Sequence, residues 1–262
     1  TPVDLDDEGL LVHPLLPRAP RLSFWRAPTD NDRILGVGAR WTAAGLDRPG
    51  RRLLSIDRDG AETTVRAEYV IADGPPILHD QVLRSLDDGG IEISERVVVP
   101  DGLIDLARVG VVLETSANLE DVTWFGRGPH ESYPDRKRGA RIGRWQSTVS
   151  DLATGYIKPQ ENGGRADVRW LELAEPGGTD RSLRLAFDRP LQVSATHHRD
   201  ADLAAAGHDI DLVARPETIV HLDVAHRGLG TASCGPDTLP EYLVGPGTYE
   251  WTWTMGPAPR RG

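Results

Sequence analysis

The sequence predicts an all-β fold, a sandwich or barrel of antiparallel strands. Three observations carry that expectation. Short segments rich in Val, Ile, Leu and Thr alternate apolar with polar residues, as half-buried strands do. Turn signals (DG, DDGG, PDG) separate them at intervals of roughly ten residues. The 28 glycines and 20 prolines are spread along the whole chain, as many short strands joined by turns require.

In chain order, residues 1–36 read as Pro-rich and irregular, with 1–21 as a lead-in before the segment LSFWRAPTDND (22–32). VGARWTAAGL (37–46) is the best helix candidate, because Val37, Trp41 and Leu46 can share one face and Gly45 suits a helix stop. Strands follow at TTVRAEYVIA (63–72), ILHDQVLRSL (77–86), GIEISERVVVP (90–100) and LARVGVVLET (106–115). Residues 124–170 then read as one long irregular stretch, and loops of that length inside a domain are usually functional. Strands resume at SLRLAFD (182–188), LQVSATH (191–197), TIVHLDVAH (218–226) and YEWTWTM (249–255), with DADLAAAGHDI (200–210) a short helix or turn. No linker, repeat or low-complexity tract interrupts this series. One domain over 22–256 with a tail at 257–262 is the simplest organisation.

Charge and composition exclude several classes of function. The net charge of −10, from 40 acidic and 30 basic residues, disfavours phosphate-backbone binding, so no nucleic-acid partner is expected. No run approaches the ~18–20 apolar residues that span a bilayer, so no membrane partner is expected. Cys234 stands alone, which rules out an internal disulfide and a multi-Cys zinc site. His197, His198, His208 and His226 lack any metal-ligand spacing, and no metal or cofactor is expected in this chain. The N-terminus TPVDLDDEGLL has neither an initiator Met nor the basic-then-apolar pattern of a signal peptide. It reads as a piece of a longer, cytoplasmic polypeptide.

Two segments hold the candidate chemistry. Residues 124–170 place His130, Glu131, Asp135, Arg136, Glu161, Asn162, Arg165 and Arg169 among Trp124, Tyr133, Trp145, Tyr156 and Trp170. Aromatic faces for sugar C–H surfaces, with carboxylate, amide and guanidinium groups for hydroxyls, suit a carbohydrate cleft. The same residues could equally hold the loop together through internal Arg–carboxylate pairs. Autonomous glycoside hydrolysis would need two carboxylates about 5–9.5 Å apart, one with a raised pKa. Glu131 and Glu161 are the only obvious pair, and each lies beside arginines that would keep it ionised. A mutarotase-like proton shuttle, with His130 or His226 as acid and Glu131 or Glu161 as base, is the rival enzyme reading. The second segment, RGLGTASCGPDTLPEY (227–242), is forced into a tight path by its glycines and prolines. Cys234 at its tip lacks a neighbouring base, so a small buried thiol is the expectation rather than a nucleophile.

Five motifs taken together carry a resemblance. FWRAPTDND (24–32), WFGRGPHESYPDR (124–136), RW (144–145), YIKPQENGGRADVRW (156–170) and HRGLGTASCGPD (226–237) resemble, in order, the motif series of the small-chain domain of β-galactosidases of glycoside hydrolase family 2. The resemblance covers roughly residues 22–256. It implies a large antiparallel β-sandwich, the supersandwich similar to galactose mutarotase, with one or two short helices. It also implies a division of labour. In this family the catalytic glutamates, and the magnesium and sodium ions, belong to other segments, chiefly a TIM-barrel domain, and carry over to no residue here. The small-chain domain walls the mouth of the barrel's active site with a loop matching 228–237, so the TIM-barrel domain and β-galactosides are the implied partners.

Ser233, Cys234, Gly235 and Asp237, with Glu131, Arg136, Glu161 and Asn162, are the implied substrate-side residues. The best-studied members of the family place a stacking Trp on that loop, where this chain, like other branches, has the SCGP form with Cys234 or Gly235 at that place, which implies a roomier or differently lined aglycone side. Family members also carry strand-forming sequence before FWRAPTDND, whereas only about twenty residues precede it here, so the chain is expected to begin inside or at the edge of the domain. A free-standing carbohydrate-binding or mutarotase-like protein, and a structural module contacting other subunits of a homo-oligomer, remain the alternatives.

Overall fold

A computed structural model describes residues 2–72, 74–177 and 181–258. In YEWTWTM the period-two pattern is realised directly: Trp251, Trp253 and Met255 are buried, and Thr252 and Thr254 between them are half-exposed. The described residues form twelve strands. They are β1 (Arg18–Ser23), β2 (Gly50–Asp59), β3 (Glu62–Val70), β4 (Ile77–Ser85), β5 (Ile91–Val99), β6 (Arg108–Glu114), β7 (Asp121–Gly128), β8 (Arg141–Thr148), β9 (Arg165–Ala174), β10 (Ser182–Thr196), β11 (Ile219–His226) and β12 (Gly247–Gly256).

The strands form one sheet in the order β1-β6-β11-β10-β12-β5-β4-β3-β2, with β9 on β10, β7 on β9 and β8 on β7. Every pairing is antiparallel. The fork lies at β10. Its first half pairs with β12 and its second half with β11, while β9 runs along both, with the register broken between Ala186 and Leu191. Pro190, which has no N–H for a ladder, sits in that exposed break. The sheet curls around a single apolar core that draws residues from β1, β3–β7 and β9–β12. This is the predicted all-β antiparallel sandwich.

One buried polar knot in that core departs from simple alternation. Glu95 on β5 accepts from His79 (2.7 Å), Gln81 (3.0 Å) and Trp253 Nε1 (3.0 Å), so a carboxylate deep in the sheet has its oxygens satisfied.

Three expectations are corrected. Residues 124–170 are not one irregular loop, since β7, β8 and the start of β9 run through them. Residues 1–36 are not uniformly irregular either, because β1 and helix α1 (Asp30–Ile34) lie there, the latter capped by Thr29 accepting from Asp32. The described residues hold four short α-helices rather than one or two: α1, α2 (Val37–Ala43), α3 (Val149–Leu152) and α4 (Asp200–Ala205). Helix α2 matches the predicted helix, and Val37, Trp41 and Leu46 are all buried. Of the tail at 257–262, residues 259–262 lie outside the described residues. No helix among the described residues is long and apolar enough to cross a membrane.

Candidate functional site

Three segments far apart in sequence converge on the loop after β11. Arg227, 1% exposed, roots that loop. Its guanidinium donates to Asp105 (2.8 Å), Thr238 Oγ1 (2.7 Å) and both oxygens of Asp237 (3.0 and 3.1 Å). Its carbonyl and that of Gly228 accept from Arg26 (2.8 and 3.2 Å). Arg26 in turn forms a bidentate pair with Asp32 (3.0 and 2.8 Å), both side chains fully buried. A buried cation needs such complete pairing, and Arg supplies the donor fork for it.

The turn above this root is gripped from both sides. Asp135 accepts from the backbone N–H of Leu229 (3.0 Å) and Gly230 (2.8 Å). Asn31 donates to the carbonyls of Leu229 and Gly230 (2.9 Å each) and accepts from Ser233 N–H (2.9 Å). Glycine is required twice. Gly230 has φ +66°, and a Cβ on Gly228 would lie 2.7 Å from the Asp135 carboxyl carbon. Beyond this grip, Thr231 and Ser233–Asp237 are exposed. Cys234 is a free, exposed cysteine, which corrects the expectation of a buried thiol. Burial works against ionisation of Asp237, but the Thr238 N–H and the Arg227 guanidinium outweigh it and hold the carboxyl below its ordinary range.

Under the loop lies a cavity of about 300 Å³ reached by Asp30, Asn31, Tyr156, Glu161 and Ser233. The remaining predicted residues surround it but are engaged internally. Glu131 pairs with Arg136, and its oxygens also accept from Tyr156 OH (3.2 Å), Thr154 Oγ1 (3.4 Å) and Gly163 N–H (3.0 Å). Arg136 lies over the Tyr133 ring (5.7 Å). Asn162 accepts from Thr154 N–H and donates to Gln160 O, both at 2.9 Å, clamping the 154–162 turn. Glu161 is buried, pairs with Arg108, and accepts from Tyr133 OH (3.3 Å). The aromatics of this stretch also serve the interior. Trp124 and Tyr133 are buried, and Trp170 is covered by Arg184 (4.4 Å) and Arg144 (5.8 Å).

Behind Glu161 lies a closed polar cluster. Arg108 faces Asp223 (3.5 Å), His226 Nε2 stands 3.9 Å from Glu161, and His221 Nε2 stands 3.5 Å from Asp200. Burial, opposed by the nearby Arg108, pushes Asp223 up to about 8 and Asp200 up to about 7. Burial, reinforced by Arg108, holds His221 and His226 well below 6.5, so both imidazoles are neutral. Of the residues considered for a proton shuttle, His226 and Glu161 therefore do meet, but in the interior, while His130 is exposed. Among the described residues no group of three or more His, Cys, Asp and Glu could hold a metal ion.

Arg26, Asn31 and Arg227 are not among the candidate residues read from the sequence, and Asp135 is, but as a sugar-cleft group rather than as the acceptor that holds the loop. Their signal lay inside the motifs themselves: Arg26 and Asn31 in FWRAPTDND, Asp135 in WFGRGPHESYPDR, and Arg227 in HRGLGTASCGPD.

The family model described as beta galactosidase small chain matches residues 4–255. The β-galactosidase of Arthrobacter sp. (strain B7) is 32% identical over 274 residues, covering 94% of this chain and 27% of that protein. Those of Aeromonas hydrophila (34%) and Vibrio cholerae (32%) cover 88% and 92% of this chain, and 23% and 24% of their own lengths. The chain thus spans about a quarter of these relatives. A solved structure of a candidate aldose 1-epimerase from Escherichia coli K12 covers 95% of this chain and 92% of its own, with 10% identity and a TM-score of 0.47.

Proposed function

Because the chain belongs to the β-galactosidase small-chain family, we propose that it is the C-terminal domain of a bacterial β-galactosidase, completing the mouth of an active site whose catalytic glutamates lie in a TIM-barrel domain. One observation supports this reading above the others. The motif segments at 24–32, 124–136 and 226–237 meet at a single loop, whose base is locked and whose tip is exposed. A loop so held loses little conformational entropy when it meets a substrate, which is what a wall over an active-site mouth requires. Ser233, Cys234, Gly235 and Asp237 would then stand on the aglycone side of a terminal β-galactoside.

The chain would not hydrolyse glycosides alone. Every oxygen of Glu131 and Glu161 already accepts from an internal donor, and Glu161 is enclosed, so neither carboxylate is free to flank a scissile bond. The test has two arms. The isolated chain incubated with a chromogenic β-galactoside should show no turnover. In the full-length enzyme, Asp135→Ala should raise KM more than it lowers kcat, because it loosens a substrate wall and leaves the reacting groups in place. Turnover by the chain alone, abolished by Glu131→Gln or Glu161→Gln, would overturn the proposal.

A further inference from the structure

A second cleft, of about 310 Å³, opens between β1 and β2, the two ends of the main strand order, and it shares no lining residue with the cavity under the 229–237 loop. Strand register fixes which side chains it meets, because residues opposite one another in an antiparallel ladder turn to the same face. Arg18 stands opposite Glu114, and Glu114 opposite Ile219; Arg21 stands opposite Val112, and Val112 opposite His221. These six share one face of β1, β6 and β11, and all six line the cleft. Arg51 and Tyr69, opposite each other on β2 and β3, line it from the other side. The Tyr69 hydroxyl accepts from Leu22 N–H (3.1 Å), which ties the two walls together.

Four guanidiniums line this cleft, and two carboxylates pair with them. Glu114 serves two: Arg199 chelates it (2.8 and 2.7 Å), and Arg18 donates to it (3.0 Å). Glu8 also serves two, but its carboxylate takes only Arg21 (2.9 Å), and Arg51 donates to its backbone carbonyl. The other acids of the lining do not close the difference. Asp47 pairs with Arg48 (3.3 Å), and burial, opposed by Arg108, pushes Asp200 up to about 7. Burial raises the Tyr69 hydroxyl above its ordinary value, and the Leu22 N–H, Arg51 and Arg21 pull against it, so both guanidiniums act on the wall of the cleft. A positive surplus therefore gathers here in a chain whose net charge is −10. Like charges held at one place repel, and an anion entering between them relieves that repulsion.

We propose that this cleft binds a compact oxyanion of the phosphate class, free or as the end group of a small ester. Arginine suits that ligand, because its planar fork can donate two parallel N–H bonds to one oxyanion. A guanidinium has more N–H donors than the pairs described here use. The side chains of Arg18 (53%), Arg21 (40%) and Arg199 (35%) also stay partly exposed, so a ligand can reach them without breaking those pairs. The volume lies at the lower end of small-ligand pockets, about 300–1,000 Å³, which admits an oxyanion carrying one ring at most. Trp25 in the same lining offers such a ring an apolar face.

The experiment titrates the 262-residue chain at low ionic strength with inorganic phosphate, glucose 6-phosphate and glucose, read by calorimetry and by amide shifts in NMR spectra. Inorganic phosphate should bind saturably, shift the amides of Leu22 and Arg51, and bind more weakly as sodium chloride is added. Glucose 6-phosphate binding more tightly than phosphate marks an ester as the ligand, and the reverse order marks the free ion; both orders support the site. Arg51→Gln and Arg21→Gln should each weaken phosphate about tenfold or more, because each removes a charge-assisted contact. Glu8 is exposed, so neither change leaves a buried charge unpaired. A urea midpoint checks folding, and Arg18→Gln, at a half-exposed side chain, is the fallback if either variant unfolds. Arg96→Gln, on β5 and paired with Asp80 and Glu250 outside the cleft, should leave the affinity unchanged. Absence of saturable phosphate binding, undiminished binding in the cleft variants, an equal loss in Arg96→Gln, or glucose binding as tightly as phosphate would each overturn the proposal.

Discussion

Asp135→Ala tests whether the 229–237 loop is held from outside or holds itself. The Asp135 carboxylate is the acceptor for two backbone donors, Leu229 N–H at 3.0 Å and Gly230 N–H at 2.8 Å. A hydrogen bond to a charged group contributes about 1.5–3 kcal/mol, which would place the two together at about 3–6 kcal/mol. Asp135 is only half-buried, so water can reach the freed donors and recover part of that loss. Asn31 and Arg227 also stay in place to keep the loop near its position. The expected net destabilisation is therefore about 2–3 kcal/mol.

Urea unfolding measures the global effect, and amide exchange at Leu229 and Gly230 measures the local one, since a loosened loop opens far below the global unfolding free energy. Asp135→Asn keeps one acceptor and turns an N–H₂ toward the other donor, so it should lose about half as much as Ala or slightly more. A loss within about 0.5 kcal/mol, with exchange at both amides unchanged, would show that the Asp135 contact does not position the loop.

Two further predictions concern the interior. Asp200 and Asp223 have folded-state values raised above the ordinary 3.8, to about 7 and about 8, so between those limits the folded chain binds more protons than the unfolded one. Their stabilisation is full below about pH 4 and is lost as pH rises through the folded values. The depressed His221 and His226 act oppositely, losing stability as pH falls below 6.5. Urea midpoints should therefore decline between about pH 6.5 and 8.5, and Asp223→Asn should flatten that decline; a flat wild-type profile would refute the assignment. Glu95→Gln leaves one acceptor oxygen for the three donors of His79, Gln81 and Trp253. It should cost about 2–4 kcal/mol by urea unfolding, and a change below about 0.5 kcal/mol would mean that water or rearrangement satisfies those donors.

The strands legible in the sequence are those whose own residues alternate. ILHDQVLRSL and GIEISERVVVP pair as β4 and β5 in an unbroken register, from Leu78 opposite Val98 to Ser85 opposite Ile91. Among the strands not legible in the sequence, β7 to β9 carry Gly126, Gly128, Gly143 and a run of arginines where an alternating pattern would put apolar side chains. Their stability comes from partners elsewhere in the chain. Arg165 lies over Trp124 (5.3 Å), Arg169 over Phe125 (5.5 Å), and Phe125 stacks on Trp170 (6.4 Å). An arginine whose hydrocarbon stem and planar head cover a tryptophan is a core residue in function, but its letter alone reads as solvent-facing.

The candidate site divides along the same line. The chain's letters alone carry the all-β class, the helix at α2 and the five ordered motifs, because turn chemistry, period-two burial and motif order are local or sequential properties. They do not tell which polar side chains face a ligand and which are consumed within the fold. Glu131, Asp135, Glu161 and Asn162 look like sugar ligands in sequence and turn out to have internal partners, and Asp135 grips the loop together with Asn31. The contacts of Asp135 and Asn31 with the loop join residues 94 to 202 positions apart. Only the curled sheet brings such groups to within 3 Å, and burial then determines whether a carboxylate is shared, protonated or left open to solvent.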